Sequence, residues 1–311
     1  MPSGISTCIE TFTNLLEDRT MHVVFGAAGR AGGETARALI ERGEQVRVVV
    51  RRPEQGESWK ALGAEVAIAN LYSADDVSRA MEGASAAFLL SPPPRDGDPF
   101  AQAAELGRAI AEAVRRANLA KTVVLSSIGA QHASDTGVIA TLHEIETALA
   151  GAARATAFLR SGYFIETWSE VAEAAISEGI LPSFLNVEQN IPMVSTADVG
   201  EAAAQLMTET WEGTRIVELG GQEDWSARDV ATAFAEVLGR PIEPVFLPPE
   251  QHLAVLTEAG VTPEVATALL GMYDGIARGR VTRQENNEHW RGATPLAAAI
   301  KRMVTTLHAT P

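Results

Sequence analysis

From Met21 onward, short runs of aliphatic and β-branched residues alternate with stretches whose apolar positions recur at helical spacing. Met21–Phe25 is apolar at nearly every position, the mark of a strand covered on both faces, and the glycine-rich segment Gly26–Gly33 follows it at once. In the next segment Ala36, Leu39 and Ile40 share one helical face, Glu34, Arg37 and Glu41 fall at i,i+3 and i,i+4 spacing on another, and Gly43 ends it. Gln45–Val50 and Glu65–Ala69 read as the second and third strands. Ser73 then caps a short helix, with Asp76 at the acidic position of a capping box, Val77, Ala80 and Met81 facing inward, and Gly83 as its stop.

The alternation continues. Ala86–Leu90 is a fourth strand, Pro92, Pro93 and Pro94 force an extended loop, and Phe100–Ala117 is a long helix. Lys121–Ser126 is the fifth strand, about Val138–Ala150 the next helix, and Thr156–Arg160 the sixth strand. Six strands alternating with helices predict an α/β fold with a doubly wound parallel sheet in the order 3-2-1-4-5-6 over residues 21–160. Beyond Arg160 the regularity weakens. Strand candidates Ile216–Leu219 and Val245–Leu247 stand among helices at Val199–Met207, opened by Thr196 or Asp198, and Ser226–Leu238, ended by Gly239. Residues 161–311 therefore read as a smaller cap that partly completes the sheet and shapes a substrate pocket, and residues 1–20 as a weakly docked extension, with Met21 the functional start of the fold.

Composition narrows the function classes. A chain of 311 residues with 46% hydrophobic positions can build a sizeable core, so extensive disorder is excluded. Twenty-five lysines and arginines against 40 aspartates and glutamates give a net charge of −15, which repels phosphate backbones and argues against a nucleic-acid partner. Cys8 is the single cysteine, so no internal disulfide and no cysteine-built metal site can form, as suits a reducing, cytoplasmic setting. No apolar run reaches the roughly 18–20 residues of a membrane span, and Glu10, Glu17 and Asp18 do not fit an export signal.

Gly26, Ala27, Ala28, Gly29, Arg30, Ala31 and Gly32 form a G-x-x-G-x-x-G turn between a predicted strand and a predicted helix. Gly26 permits the sharp turn, Gly29 lets a pyrophosphate approach the backbone, and Gly32 lets the helix pack on the sheet. The helix N-terminus then offers unpaired N–H donors to the anion, so Ala28, Arg30 and Ala31 join the glycines as expected cofactor contacts. Val50 is followed by Arg51 and Arg52 where an NAD site usually carries an acid. A guanidinium there attracts a 2′-phosphate, so the expected cofactor is NADPH, with Arg51 as its reader and Arg30 able to add to that pocket; the alternative is a solvated strand end. Asn70 and Leu71, after the third strand, are placed to meet the adenine edge and face, and Leu90, Ser91 and Pro92, after the fourth, lie beside the cofactor's path.

These residues, with Val124-Leu125-Ser126-Ser127 and Phe158-Leu159-Arg160-Ser161-Gly162-Tyr163-Phe164-Ile165-Glu166, resemble the NmrA-like branch of the atypical short-chain dehydrogenase/reductases. The segments Ile191-Pro192-Met193-Val194-Ser195-Thr196-Ala197-Asp198-Val199-Gly200 and Leu238-Gly239-Arg240-Pro241 extend the likeness to about Met21–Leu307. The resemblance implies the fold, NAD(P)H binding at Gly26, Gly29, Gly32 and Arg51, and a functional segment at Ser161–Phe164. The branch includes NADPH-dependent quinone oxidoreductases and redox-sensing regulators that act through protein partners. Asn70 stands where many members have aspartate.

Most short-chain reductases protonate the substrate oxygen with a tyrosine tuned by a lysine four residues on. Here Tyr72, Tyr163 and Tyr273 are followed at that position by Asp76, Thr167 and Ala277, so the dyad is absent. That disfavours unactivated ketones and favours a small-molecule electron acceptor such as a quinone, whose reduced anion is weakly basic. Ser126 is a candidate for holding the substrate carbonyl, His143 for supplying a proton, and Tyr163 with Phe164 for an aromatic wall beside the nicotinamide; the structural alternatives are a strand-end cap for Ser126, an exposed helical position for His143 and core packing for Tyr163 and Phe164. The histidines show no metal-ligand spacing, no metal is expected, and no G-x-S-x-G nucleophile elbow occurs. A homodimer is compatible with all of this.

Overall fold

In the computed structural model, which describes residues 20–309, seven parallel pairings join eight strands into one sheet. The first six are β1 (Met21–Phe25), β2 (Gln45–Val50), β3 (Glu65–Ile68), β4 (Ala84–Leu89), β5 (Lys121–Ser127) and β6 (Ala155–Ser161), and they lie in the order 3-2-1-4-5-6. The sheet does not end there. Gly213–Gly220 pairs with β6 along seven residues and Glu288–Arg291 pairs with that strand in turn. The readings of residues 1–19, including Cys8, fall outside the described residues.

Side-chain alternation explains why the sheet is covered on both faces. Val24, Phe88, Val123 and Leu159 point to one side, where they pack with Ala36 and Leu39 of α1 (Arg30–Glu41). Val23, Phe25, Leu89, Val124 and Phe158 point to the other, against Leu106, Ile110 and Val114 of α4 (Pro99–Arg116) and Ile145 and Leu149 of α5 (Ala140–Leu149). Two short helices, α2 (Glu57–Ala61) and α3 (Ala74–Ala80), precede α4.

Ser73 caps α3 as expected, its Oγ accepting the Asp76 N–H at 3.2 Å. The capping box closes on one side only, because the Asp76 carboxylate accepts the Asn70 N–H at 3.3 Å.

After β6 the chain forms β7 (Tyr163–Phe164), a 3-10 segment over Ile165–Val171, α6 (Ala172–Ser177), β8 (Ile180–Ser183), β9 (Ile191–Val194) and α7 (Thr196–Thr208). Ser195, in extended conformation, caps α7, correcting the expectation of Thr196 or Asp198. Asp198 is instead buried and accepts the N–H groups of Ala293 and Thr294 at 3.1 and 3.2 Å. Following α7 are β10 (Gly213–Gly220), β11 (Asp224–Trp225), α8 (Ala227–Leu238), β12 (Glu243–Phe246), α9 (Pro249–Glu258), α10 (Pro263–Ala277), β13 (Glu288–Arg291) and α11 (Leu296–Ala309). Ser226 and Asp229 complete a reciprocal capping box on α8, and Gly239 ends it at φ +68°. α7 lies against α1 so closely that a Cβ on Gly200 would stand 2.5 Å from the Glu34 carbonyl carbon.

Candidate functional site

Because the eight strands are parallel, their carboxyl ends share one edge, and the loops that leave it gather the residues singled out above. Gly26 turns the chain out of β1 at φ +71°, where a Cβ would meet Leu90 Cδ2 at 2.7 Å. Gly29 donates its N–H to Gly26 O at 2.8 Å and becomes the N-cap of α1. A Cβ on Gly32 would stand 2.4 Å from Gly26 O, so only glycine lets α1 begin this close to β1. Gly29 differs from both, since its Cβ would come no nearer than 3.3 Å to Gly26 O. A side chain there would be tight against that oxygen but not driven into it, and what its absence leaves bare is the outer surface of the turn.

The first turn of α1 has neither a side-chain cap nor an acidic residue. Arg30, Ala31 and Gly32 have no carbonyl four residues back within the helix. Ala28, Gly29 and Arg30 are exposed, whereas Ala31 and Gly32 are buried beneath them. At the end of β2, Arg51 is exposed and has no hydrogen bond or ion pair among the described residues, while its neighbour Arg52 is paired with Glu54 at 3.0 Å. A glycine cradle that a Cβ would fill, open amides and one uncommitted guanidinium together fit a dinucleotide with an extra phosphate.

The remaining expected contacts are placed unevenly. Asn70 is exposed and its Oδ1 accepts the Tyr72 N–H at 3.1 Å, which leaves its amide NH2 for a ligand. Leu71 packs on the core beneath. Ser91 and Pro92 are half-buried beyond β4, and Leu90 and Phe164 pack on the same core as Ala27 and Ala31. Arg30 reaches out of the turn and donates from Nη2 to Ser169 Oγ at 2.9 Å, so it joins the turn to the segment after β7. Its charge bears on the Tyr163 phenol.

The structure gives Ser126 a different task. Its hydroxyl is 3% exposed and donates to Glu146 Oε1 at 2.6 Å. Ser126, Arg160, Glu218 and His289 stand side by side in register across β5, β6, β10 and β13. Arg160 binds Glu146 through two hydrogen bonds and lies 3.8 Å from Glu218 Oε1, and Glu218 accepts from Gln284 N and Asn287 Nδ2 at 2.8 and 3.0 Å. With its proton spent inside this row, Ser126 has no donor left for a substrate carbonyl.

His143 is half-buried, and its Nδ1 lies 2.9 Å from Ala130 O. A carbonyl only accepts, so Nδ1 carries a hydrogen and is committed to Ala130, which leaves Nε2 as the ring nitrogen free to meet a ligand. Tyr163 is half-buried, and its hydroxyl meets that of Tyr273 at 3.2 Å. Burial, then the Tyr273 phenol and the Glu170 carboxylate, hold the Tyr163 phenol well above its ordinary range, so it is a neutral donor. In the sequence Tyr273 stands out only for lacking a lysine partner, and the buried charged row has no spacing signature. A lone arginine within the apolar run of β6 was the available signal, since a buried guanidinium requires carboxylates nearby.

Among the described residues no helix is long and apolar enough to cross a membrane, and no cluster of three histidine, cysteine or acidic side chains is placed to hold a metal.

Known proteins share this fold. The pattern of the NmrA-like family matches residues 19–283. Quinone oxidoreductase 2 of Escherichia coli is 23% identical over 261 residues, covering 83% of this chain and 89% of its own. Among solved structures, an NADPH-dependent quinone oxidoreductase of Escherichia coli in complex with NADPH superposes with a TM-score of 0.76 at 21% identity, over 92% of this chain and all of that one. The triphenylmethane reductase of a Citrobacter species, complexed with NADP(H), gives 0.75 at 20% identity over 91% and 99%. These two likenesses establish the fold.

Proposed function

Because the chain belongs to the NmrA-like family, we propose that it binds NADPH at the turn Gly26–Gly32 and reduces a quinone or a similar electrophile by two electrons. One observation carries this reading: an uncapped helix N-terminus behind a glycine turn shares an edge with Arg51, an exposed guanidinium without a partner. Bound there, NADPH supplies a hydride. The amides of Arg30, Ala31 and Gly32 face the diphosphate, and the bare surface at Gly29 lets it approach. Arg51 takes the 2′-phosphate through a charge-assisted contact. Asn70 and Leu71 flank the adenine, Leu90, Ser91 and Pro92 border the path between, and Phe164 and Tyr163 wall the nicotinamide end.

The acceptor follows from what the chain lacks. None of its tyrosines has a lysine four residues on, so no poised acid meets the strongly basic alkoxide of a ketone. A hydroquinone anion is delocalised and weakly basic, and correct placement then does most of the work. The named activities of the relatives, quinone and triphenylmethane reduction, both use delocalised acceptors.

The test is NADPH oxidation, followed by absorbance with a panel of quinones, enals and ketones. Quinone-dependent oxidation is expected. Tight NADPH binding with no turnover across the panel would overturn the enzymatic reading in favour of a sensor, and efficient ketone reduction would overturn the argument about the acceptor.

A further inference from the structure

Two tyrosines far apart in sequence meet within reach of the charge on Arg30 of the glycine turn. Tyr163 opens β7, directly after the carboxyl end of β6, and Tyr273 lies on α10; their hydroxyls are 3.2 Å apart. Two phenols carry two hydroxyl protons, and the bond between them uses one. The second has no protein acceptor among the described residues.

The surroundings fix this pair rather than merely permit it. Phe184 stands edge-on to Tyr273 with ring centroids 5.1 Å apart, and Trp168 edge-on to Tyr163 at 6.3 Å. Trp168 is 8% exposed and its indole N–H is unpartnered. Glycines set the height of α10: a Cβ on Gly271 would stand 2.9 Å from Gly137 Cα, and one on Gly275 would stand 2.8 Å from Asp135 O. On the far side, Arg30 of the glycine turn donates to Ser169, next to Trp168.

We propose that the paired hydroxyls of Tyr163 and Tyr273 seat the oxygen of the acceptor, and that Tyr273 thereby selects aromatic acceptors bearing a carbonyl oxygen. The inference rests on the NADPH-dependent reduction proposed above. Both phenols are held above their ordinary value, chiefly by burial, and so remain neutral donors. The quinone gains a hydride, one proton with two electrons, from NADPH, leaving NADP+. The reduced ring is then a hydroquinone anion whose charged oxygen the free phenol proton steadies by a hydrogen bond, and water gives the final proton on release, leaving hydroxide.

The test uses Tyr163→Phe and Tyr273→Phe, which keep the ring packing and remove only the hydroxyls. With a simple benzoquinone, kcat/KM is expected to fall about 10- to 100-fold in each variant, the scale of one hydrogen bond to a charged oxygen. The double variant is expected to fall little further than the lower single one, since both hydroxyls act as one unit. In Tyr273→Phe, NADPH affinity, read by fluorescence titration, is expected to stay within about twofold. If Tyr273→Phe does not fold, Tyr163→Phe gives the same reading. Wild-type turnover with both variants within about twofold of it overturns this inference alone. A wild type that binds NADPH but reduces no quinone overturns the function and this inference together.

Discussion

Arg160 and Glu146 are locked together by two parallel hydrogen bonds, Nε to Oε1 at 2.9 Å and Nη2 to Oε2 at 2.7 Å, beneath the edge that carries the candidate site. Both are buried, as is Glu218, 3.8 Å from the same guanidinium. Replacing Arg160 by methionine would leave two carboxylates without their counter-charge. Such a loss costs about 3–5 kcal/mol, read as a lower urea midpoint. Adding Glu146→Met should cost less than the sum of the two single changes, because the residues share one interaction.

The glycines of the turn should separate by role. Gly32→Ala drives a methyl into the Gly26 carbonyl, and overpacking of this kind costs about 1–3 kcal/mol, with NADPH binding lost alongside. Gly29→Ala brings its methyl only to 3.3 Å from the same oxygen, a tight contact rather than a clash, and should cost about 1 kcal/mol or less. It should nevertheless weaken NADPH about tenfold or more, because the methyl occupies the surface left for the diphosphate. Melting curves beside fluorescence titrations distinguish the two.

Arg51→Glu should leave stability within about 0.5 kcal/mol, as for an exposed residue without partners. The ratio of NADPH to NADH affinity should fall about 10- to 100-fold, the worth of a charge-assisted contact. Arg52→Ala should leave that ratio nearly unchanged, since Arg52 is already paired with Glu54. Calorimetry with both cofactors checks the contrast.

His22 supplies a pH dependence. Burial outweighs the pull of Glu44, 3.2 Å away, and lowers the imidazole below its ordinary 6.5. The unfolded chain therefore takes up this proton at a higher pH than the folded one. The contribution of neutral His22 is complete above 6.5 and drains away as the pH falls from there toward the folded value. The urea midpoint of the wild type should drop more between about pH 7.5 and about pH 5.5 than that of His22→Gln.

How much could be read in advance depended on whether local pattern or distant contact decided the outcome. Met21–Phe25 and Gln45–Val50 were legible to the residue because both are continuous apolar runs bounded by turn signals. Ser226 and Gly239 were legible because caps are local chemistry. β13 was not, since Glu288–Arg291 is a polar edge strand with only Trp290 half-buried, and its partner β10 lies some seventy residues away. Helices α9 and α10 were also missed. In the candidate site, the glycine turn and Arg51 stand out in the sequence by spacing and position. The commitment of Ser126 to Glu146 and the meeting of Tyr163 with Tyr273 do not, because each is made only when remote segments dock.

The seven-residue pairing of β6 with β10 bears on any attempt to divide the molecule. Every residue of β6 is buried, and β10 covers one of its margins. A fragment cut near residue 160 would bare that margin as an unpaired ladder of backbone donors and acceptors on an apolar ribbon, the kind of edge that recruits other chains into aggregates. A nucleotide-binding piece cannot therefore be excised cleanly from this protein, and expression of the first half alone should yield insoluble material.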